Sequence, residues 1–416
     1  MRRVSALCVV AVFACGLLVA ACAPAVVPPR SSTTTTTSIA PTTSTTELPT
    51  TSTTTVSTTT TTTVAPPRVI DVGAGERHMC AVVSDGTAKC WGQNAYGALG
   101  NPAGGQAIAP VVGLTSAIAI DAGLFHACAV LSDATAQCWG WNQDGQLGNG
   151  TNTNATTPVT VSGLSGVSDI SAGHYQTCAV RTQGTVKCWG SNAHGQLGNG
   201  NKISSAIPVT VSGVTGAIAI SVGVENVCAL IDDGTVSCWG GNNTGQLGNG
   251  SNTDSSTPTT VAGITYAVGV SAQGDSGCAA LANGTAKCWG SNGWGQLGNG
   301  TKNGSTLPVT VLGLQGVTAI STQVRHSCAV VAGGSVSCWG QNDTGQLGID
   351  TMGERQLSPV AVLGLTNVVS LDTGSFGTCA ADAAGIARCW GYNGEGELGD
   401  GTNTNSSVPV QVIGIP

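Results

Sequence analysis

Apolar and polar residues alternate in short runs along most of the chain, and glycine-rich turns separate the runs. Residues 167–211 contain four runs with the period-2 pattern of a β-strand, namely Val167–Ser171, Thr177–Arg181, Thr185–Trp189 and Pro208–Val211. We find no helical periodicity in this unit. The pattern therefore predicts four short strands in one compact unit.

The same unit recurs from residue 68 to residue 416, and its most regular marker is a pair of cysteines. The seven pairs are Cys80/Cys90, Cys128/Cys138, Cys178/Cys188, Cys228/Cys238, Cys278/Cys288, Cys328/Cys338 and Cys379/Cys389, with offsets of 48, 50, 50, 50, 50 and 51 residues. Repeated four-stranded units arranged around an axis form a β-propeller. We predict an all-β, seven-bladed propeller over residues 68–416. We also expect the strands at Arg68–Val72 and Val408–Ile415 to share one sheet, which would close the ring without open edges.

The spacing within each cysteine pair predicts a disulfide. Ser84, Asp85 and Gly86 fit a three-residue hairpin loop, which places Cys80 directly opposite Cys90 on the neighbouring strand. Residues opposed in this way have Cα atoms about 4.5 Å apart, at the short end of disulfide geometry. A metal site would need several ligands to converge, and a catalytic thiol would not be repeated seven times. We therefore predict seven disulfides, one in each blade.

The first 22 residues have the features of an export signal. Arg2 and Arg3 precede an apolar stretch that is short for a membrane span, and small residues follow it. Residues 19–22 resemble a bacterial lipobox, which makes Cys22 the candidate lipidation site. Ordinary signal cleavage nearby is the alternative, and Cys8 and Cys15 are interpreted as small hydrophobic residues of the signal.

Residues 23–67 form a predicted disordered linker rich in threonine, serine and proline. Residues 31–65 contain 20 threonines, 6 serines and a single charge, Glu47. Such a segment has too little apolar surface to form a core. We therefore expect an exported protein that is lipid-anchored to the membrane at the cell surface, or secreted if Cys22 is not lipidated.

One motif set connects the seven units to a known family. The second unit carries G-x-x-H-x-C-A-V at residues 123–130, C-W-G-x-N at residues 138–142 and G-Q-L-G at residues 145–148. The pattern resembles the regulator of chromosome condensation repeat. The resemblance implies a seven-bladed propeller, in agreement with the repeat count. It implies much less about activity, because relatives include an exchange factor for the Ran GTPase and a secreted bacterial inhibitor of β-lactamases.

Composition narrows the functional classes further. Only 8% of the residues are charged, and residues 68–416 contain 11 basic and 20 acidic side chains. This balance disfavours nucleic-acid binding, which needs a basic surface. We expect no cofactor and no metal: residues 400–405 look faintly like a calcium loop, but the closing acidic residue is missing.

The tryptophan of each Cys-Trp-Gly and the leucine of each Gly-Gln-Leu-Gly are expected to pack between blades. Of the eight aromatic residues that remain in the propeller, seven fall in the G-x-x-H segment or in the loop after Cys-Trp-Gly, which must lie on the same face of the ring. All five histidines lie there too, and three of them, His78, His126 and His326, are expected to hydrogen-bond within their own blades. The predicted ligand-binding face comprises Arg77, Tyr96, Phe125, Trp141, His174, Tyr175, His194, Glu225, Trp294, Arg325, Phe376 and Tyr392.

Aromatic rings beside a few charges have the composition of interface hot spots. We therefore expect a monomeric, non-catalytic protein that recognises a protein or a cell-wall glycan through this face. A guanine-nucleotide exchange factor-like regulator is the alternative that the family resemblance implies. An envelope enzyme is a further alternative, with His174 and His194 as its best acid–base candidates.

Overall fold

The computed structural model describes residues 65–105 and 107–415. The export signal predicted at residues 1–22, the lipidation site Cys22 and all but the last residues of the linker predicted at residues 23–67 lie outside the described residues. Within the described part of the chain, no helix has the length and apolar character needed to cross a membrane.

The described residues form 28 short strands and one 3-10 turn at Ala95–Gly97. Each set of four consecutive strands makes one antiparallel sheet, and the seven sheets are blades 1 to 7. The strands are, in blade 1, β1 Val69–Ala74, β2 His78–Val83, β3 Ala88–Gly92 and β4 Ala109–Pro110; in blade 2, β5 Ala117–Ala122, β6 His126–Leu131, β7 Ala136–Gly140 and β8 Ala155–Thr160; in blade 3, β9 Val167–Ala172, β10 Gln176–Arg181, β11 Val186–Gly190 and β12 Ser205–Thr210; in blade 4, β13 Ala217–Val222, β14 Asn226–Ile231, β15 Val236–Gly240 and β16 Ser255–Thr260; in blade 5, β17 Ala267–Ser271, β18 Ser276–Leu281, β19 Ala286–Gly290 and β20 Ser305–Thr310; in blade 6, β21 Val317–Thr322, β22 His326–Val331, β23 Ser335–Gly340 and β24 Gln356–Ala361; and in blade 7, β25 Val368–Thr373, β26 Gly377–Asp382, β27 Ala387–Gly391 and β28 Ser406–Gln411.

The predicted seven-bladed propeller is confirmed, but the predicted ring closure is wrong. The first strand, β1, pairs within blade 1, and the last strand, β28, pairs within blade 7, so the two ends of the domain do not share a sheet. The reason is that every blade is complete in itself, with four strands that are consecutive in the chain. The seam between blades 7 and 1 is consequently an interface between two sheets, like the other six.

Side chains on the first strand of each blade hold neighbouring blades together. At every interface, an Asp or Ser side chain accepts a hydrogen bond from a backbone N–H on the first strand of the next blade or, for Ala272 of blade 5, from the residue that follows this strand. In blade 1, Asp71 accepts from Ile120 at 3.1 Å, and across the seam Ser370 accepts from Val72 at 3.2 Å. These bonds satisfy buried backbone donors that no strand pairing reaches.

The repeated tryptophans complete the contact between blades, as predicted. All seven are fully buried, and each indole Nε1 donates to a backbone carbonyl in the preceding blade at 2.7–3.0 Å. Leu147 of blade 2 packs in one buried cluster with Trp189 of blade 3. The Gly-Gln-Leu-Gly loop and the Cys-Trp-Gly strand are therefore two halves of one interface.

The hairpin that carries each cysteine pair has the predicted register. Cys80 lies opposite Cys90, the backbone N–H of Val83 donates to the carbonyl of Thr87, and Gly86 has the positive φ that the loop requires. The same opposition recurs in the other six blades. The loop length alone therefore sets the pairing of the cysteines.

All seven predicted disulfides are confirmed, one in each blade. They are Cys80–Cys90, Cys128–Cys138, Cys178–Cys188, Cys228–Cys238, Cys278–Cys288, Cys328–Cys338 and Cys379–Cys389. Their Cα–Cα distances are 4.0–4.1 Å, closer than the separation of about 4.5 Å expected for opposed residues, because the bridge draws the two strands together. Seven disulfides are typical of a protein that folds in an oxidising, extracellular environment.

The bridges belong to the interior of the propeller. All fourteen cysteines are fully buried, including the second member of each pair: Cys90, Cys138, Cys188, Cys238, Cys288, Cys338 and Cys389. In every blade these second cysteines also pair with the outermost strand, as Cys188 does with Val209. The cysteines are consequently structural, and none of them forms part of a surface that a ligand could reach.

Candidate binding face

The G-x-x-H segment and the loop after Cys-Trp-Gly lie on the same face of the ring, as the hairpin geometry predicts. In blade 2 the backbone N–H of Trp141 donates to the carbonyl of Phe125 at 2.9 Å, and in blade 7 that of Tyr392 donates to Phe376 at 2.9 Å. The equivalent bond is present in all seven blades. We call this end of the ring the loop face. The opposite end is the turn face, which carries the hairpin turn between the two cysteines of each blade.

An asparagine holds each loop in place, and it is buried in blades 2 to 7. The side-chain carbonyl of Asn142 accepts the backbone N–H of Leu147 at 2.9 Å, and its amide donates to the carbonyls of Thr151 and Thr153 at 2.9 and 3.0 Å. Asn142 is fully buried. The side chains next to it in the loop, by contrast, differ from blade to blade and are displayed on a rigid support.

The same arrangement explains the calcium-like sequence at residues 400–405. Oxygens of Asp400, Thr402 and Thr404 converge on the side-chain amide of Asn393, each at 3.1 Å. A neutral amide donor thus occupies the point at which the oxygens meet. Within residues 65–105 and 107–415, no three His, Cys, Asp or Glu side chains are grouped so that they could hold a metal ion.

Five predicted site residues come together across blades 1 to 3 and form the aromatic sector: Tyr96, Phe125, Trp141, His174 and Tyr175. The Tyr96 and Phe125 rings are 5.5 Å apart, and the Trp141 and Tyr175 rings are also 5.5 Å apart. The rings meet edge to face at 64° and 69°, the arrangement that aromatic quadrupoles favour. Tyr96 is 50% exposed, and the others are half-buried.

A second group spans blades 5 to 7 and forms the arginine sector: Trp294, Arg325, Arg355, Phe376 and Tyr392. The guanidinium of Arg325 lies 5.3 Å from the ring centroid of Trp294 and 5.1 Å from that of Phe376. Arg355 lies 4.9 Å from the Trp294 ring, and the Phe376 and Tyr392 rings are 6.1 Å apart. Cations and rings thus alternate along this part of the face.

Charged groups fill the space between the two sectors, in blades 3 to 5. Nδ1 of His194 lies 3.0 Å from a carboxylate oxygen of Asp254, and Nε2 lies 3.3 Å from one of Glu225. Asp275 follows on blade 5, where burial raises the pKa of its carboxyl and the nearby Glu225 adds to the effect. This part of the face is acidic, and both ring nitrogens of His194 are engaged with carboxylates of the next blade.

The structure separates the five histidines by environment. His126 and His326 are fully buried, and the Nε2 atoms lie 2.9 and 2.8 Å from the Thr177 and Thr378 hydroxyls. These bonds reach the next blade, so the expectation that they would stay within one blade is wrong. Burial lowers the pKa of both imidazoles to about 3, which keeps them neutral.

The two acid–base candidates do not share an environment either. Burial lowers the pKa of His174 to about 4, and its ring contacts Tyr175 at 6.0 Å. His194 is held by Asp254 and Glu225 instead. Their contacts are with different partners, and no bond joins the two imidazoles among the described hydrogen bonds.

Two members of the face were missing from the sequence prediction. Arg355 lies in the loop before β24, and Asp254 in the loop before β16. Arg355 could have been noticed, because it falls in the unit whose cysteine offset is lengthened to 51 residues. Asp254 has no such signal, because its contact with His194 depends on how two blades meet.

The fold defines the chain as a seven-bladed propeller whose loop face displays aromatic and charged side chains. A model of the regulator of chromosome condensation (RCC1) repeat matches residues 138–180, 183–230, 233–281, 283–330 and 333–381, and a second RCC1 repeat model matches residues 69–98, 117–146, 167–196 and 217–246. The chain therefore belongs to the RCC1 repeat family. No curated protein sequence matches it significantly.

Solved structures share the propeller fold at low sequence identity. Human WBSCR16 is 23% identical over 74% of this chain and 84% of its own, with a TM-score of 0.66. Prp20p from Saccharomyces cerevisiae, in a study of its binding to Gsp1p and histones, is 20% identical over 81% and 85%, with a TM-score of 0.68. The CRINKLY ectodomain of the Arabidopsis thaliana receptor kinase ACR4 is 18% identical over 84% and 100%, with a TM-score of 0.50. These similarities concern the fold alone.

Proposed function

We propose that this chain is a non-catalytic binding protein of the cell surface, which recognises a protein or a cell-wall glycan through the loop face. The observation that carries the proposal is the placement of the aromatic residues that the repeat does not require. Seven of eight lie on the loop face, and they gather in two sectors instead of being spread evenly. Aromatic and arginine side chains of this kind supply most of the binding energy in interfaces.

The course of the chain supports a surface role. The chain enters the propeller on the turn face, where the backbone N–H of Ser84 donates to the carbonyl of Arg68 at 2.8 Å. The loop face is at the opposite end of the ring. With residues 1–22 as an export signal, Cys22 as the lipid anchor and residues 23–67 as the linker, the propeller would be held at the cell surface.

The exchange-factor alternative rests on family membership and on the fold shared with proteins such as Prp20p. Three features disfavour it here. Seven disulfides suit an oxidising compartment, residues 68–416 are acidic in balance, and every blade has the same four strands with no long inserted loop. We therefore keep binding outside the cytoplasm as the proposed function.

The proposal is tested by partner capture from the envelope fraction of the producing cell. The intact chain should retain a partner, and replacing Trp141, Tyr175 and Trp294 together by alanine should abolish retention. Circular dichroism must show that the variant is folded. Retention by a folded triple variant would overturn the proposal, and turnover that disappears on changing His174 or His194 alone would favour an enzyme.

A further inference from the structure

The arginine sector presents two guanidinium groups that lie over aromatic rings and form no ion pair within the described residues. Arg325 is placed between Trp294 of blade 5 and Phe376 of blade 7, and Arg355 lies over the same indole. Stacking on a ring leaves the N–H groups of a guanidinium pointing outward in its own plane. The rings thus hold both guanidinium groups close to one indole on the loop face.

No carboxylate of the described chain pairs with these two arginines. The ion pairs among residues 65–105 and 107–415 are His194–Glu225, His194–Asp254, Lys202–Asp254 and Arg388–Asp382. Arg355 donates one hydrogen bond, to the carbonyl of Gly293 at 3.1 Å. The field of Arg325 reaches Glu76, where it opposes the rise in pKa that burial causes, but no ion pair joins them.

The propeller fold does not require a cation at this position. The other six blades carry Arg77, Phe125, Tyr175, Glu225, Asp275 and Phe376 where blade 6 carries Arg325. The protein is acidic in balance, with 11 basic and 20 acidic residues in residues 68–416. Two arginines without ion-pair partners beside one indole thus make this part of the face positive in a protein that is otherwise acidic. A positive patch of this kind complements an anionic partner.

The ring geometry distinguishes between a peptide and a glycan as the carrier of the anion. A sugar chain stacks on open ring faces that lie roughly parallel to one another. Here guanidinium groups lie over the Trp294 indole, and three ring pairs of the aromatic sector are inclined at 64° to 78°, while the Tyr96 and Trp141 rings are inclined at 31°. Clefts between inclined rings suit apolar side chains, which insert between them.

We propose that the arginine sector binds a carboxylate of an acidic, apolar-flanked segment of a partner protein, while neighbouring rings take the flanking apolar side chains. This inference rests on the proposed function, because it names the chemistry of the partner that the loop face would bind. Arg325 supplies the bidentate donors, and Arg355 adds a second cation at the rim.

The test uses three defined probes with the full chain, its disulfides intact. The probes are a fluorescein-labelled peptide of alternating Glu and Leu, its Gln and Leu counterpart, and labelled polygalacturonate as an acidic glycan. We expect the acidic peptide to bind at least about tenfold more tightly than the neutral one, and Arg325→Gln to remove that preference. Arg181→Gln is the matched control, because Arg181 ends β10 beside a hairpin turn on the turn face; it should leave binding unchanged.

Several results would overturn the inference. These are no saturable binding of the acidic peptide, equal binding of the acidic and neutral peptides, or binding that Arg325→Gln does not weaken. Polygalacturonate binding that depends on Arg325, without peptide binding, would identify an acidic glycan instead. If partner capture survives Arg325→Gln but is lost with Trp141→Ala, the proposed function stands and this inference fails; if neither change reduces capture, both fail.

Discussion

Trp139 and Trp141 lie two residues apart at the end of one hairpin, yet they belong to different parts of the molecule. Trp139 is fully buried and donates to the carbonyl of Ala98 in the preceding blade at 2.9 Å. Trp141 is half-buried on the loop face, 5.5 Å from the Tyr175 ring. The first tryptophan is part of the repeat, and the second is an addition to it.

This difference predicts that the same substitution destabilises the protein to very different extents at the two positions. Trp139→Ala should lower the free energy of unfolding by about 3–5 kcal/mol, because it opens a cavity between blades and leaves a buried carbonyl unpaired. Trp141→Ala should lower it by less than about 1.5 kcal/mol, the range of an exposed aromatic pair. Chemical denaturation of both variants measures this. Similar losses would mean that Trp141 is also a core residue.

The corrected view of ring closure predicts that the seam is as strong as the other interfaces. Trp91 donates across the seam to the carbonyl of Glu397 at 2.7 Å, and Trp239 donates to Gln196 at 3.0 Å in the middle of the ring. Trp91→Phe and Trp239→Phe should therefore each lower the free energy of unfolding by the same amount, about 1–2 kcal/mol. A much larger loss for Trp91→Phe, measured by denaturation, would show that the seam is the weak point.

One residue of the seam differs from its counterparts in blades 2 to 6. Blade 7 carries Glu397 at the position where blades 2 to 6 carry glutamine. Glu397 is buried, one of its carboxyl oxygens accepts the backbone N–H of Glu395, and the other has no hydrogen-bond partner among the described residues. Burial raises the pKa of Glu397 to about 7; hydrogen bonds from the backbone N–H groups of Glu395 and Glu397 oppose the rise, the charge of Glu395 adds to it and the charge of Arg77 opposes it.

A raised carboxyl pKa predicts a loss of stability as the pH increases. Above pH 4.5, the ordinary pKa of a glutamate, the unfolded chain releases a proton that the folded protein still binds at Glu397. The contribution of Glu397 to stability is therefore greatest below pH 4.5 and falls as the pH rises through about 7. The loss attributable to Glu397 should be about 1–2 kcal/mol by pH 8. Glu397→Gln should remove this part of the dependence and stabilise the protein at pH 8. Denaturation of the wild type and of Glu397→Gln is compared between pH 5 and 8. Parallel dependences of the free energy of unfolding on pH would contradict the account.

The disulfides should act independently, one in each blade. Replacing Cys228 and Cys238 together by alanine should lower the free energy of unfolding by about 2–3 kcal/mol, because the bridge closes a short loop of the unfolded chain. Mass spectrometry before and after reduction counts the bridges, and we expect all seven in the native protein. Free thiols in the native protein would contradict the assignment.

The hairpins and the interior could be predicted from the sequence because both follow from local rules. The loop of three residues sets the register that brings Cys80 opposite Cys90. The repetition of Trp139 and Leu147 in every unit identifies them as packing residues. Local pairing of this kind depends only on spacing within one hairpin.

Relationships between blades could not be derived in the same way. The alternating pattern predicts β1 and β28 as strands but does not say which sheet each belongs to. The hydrogen bond that the backbone N–H of Val72 donates to the Ser370 hydroxyl replaces the pairing we expected. Likewise, the sequence places Tyr96 and Phe125 on one face, but their contact depends on one loop reaching the next blade. The two sectors emerge only when the ring is closed.

The central claim is that the loop face, and not aromatic exposure in general, binds a partner. Tyr266 provides a matched control, because it is 74% exposed but lies beside the hairpin turn of blade 4, on the turn face. The decisive measurement is the dissociation constant of the captured envelope partner for the wild type, Trp141→Ala and Tyr266→Ala chains. We predict a loss of at least about tenfold in affinity for Trp141→Ala and no change for Tyr266→Ala. Equal affinities for all three chains, or a loss confined to Tyr266→Ala, would contradict the claim.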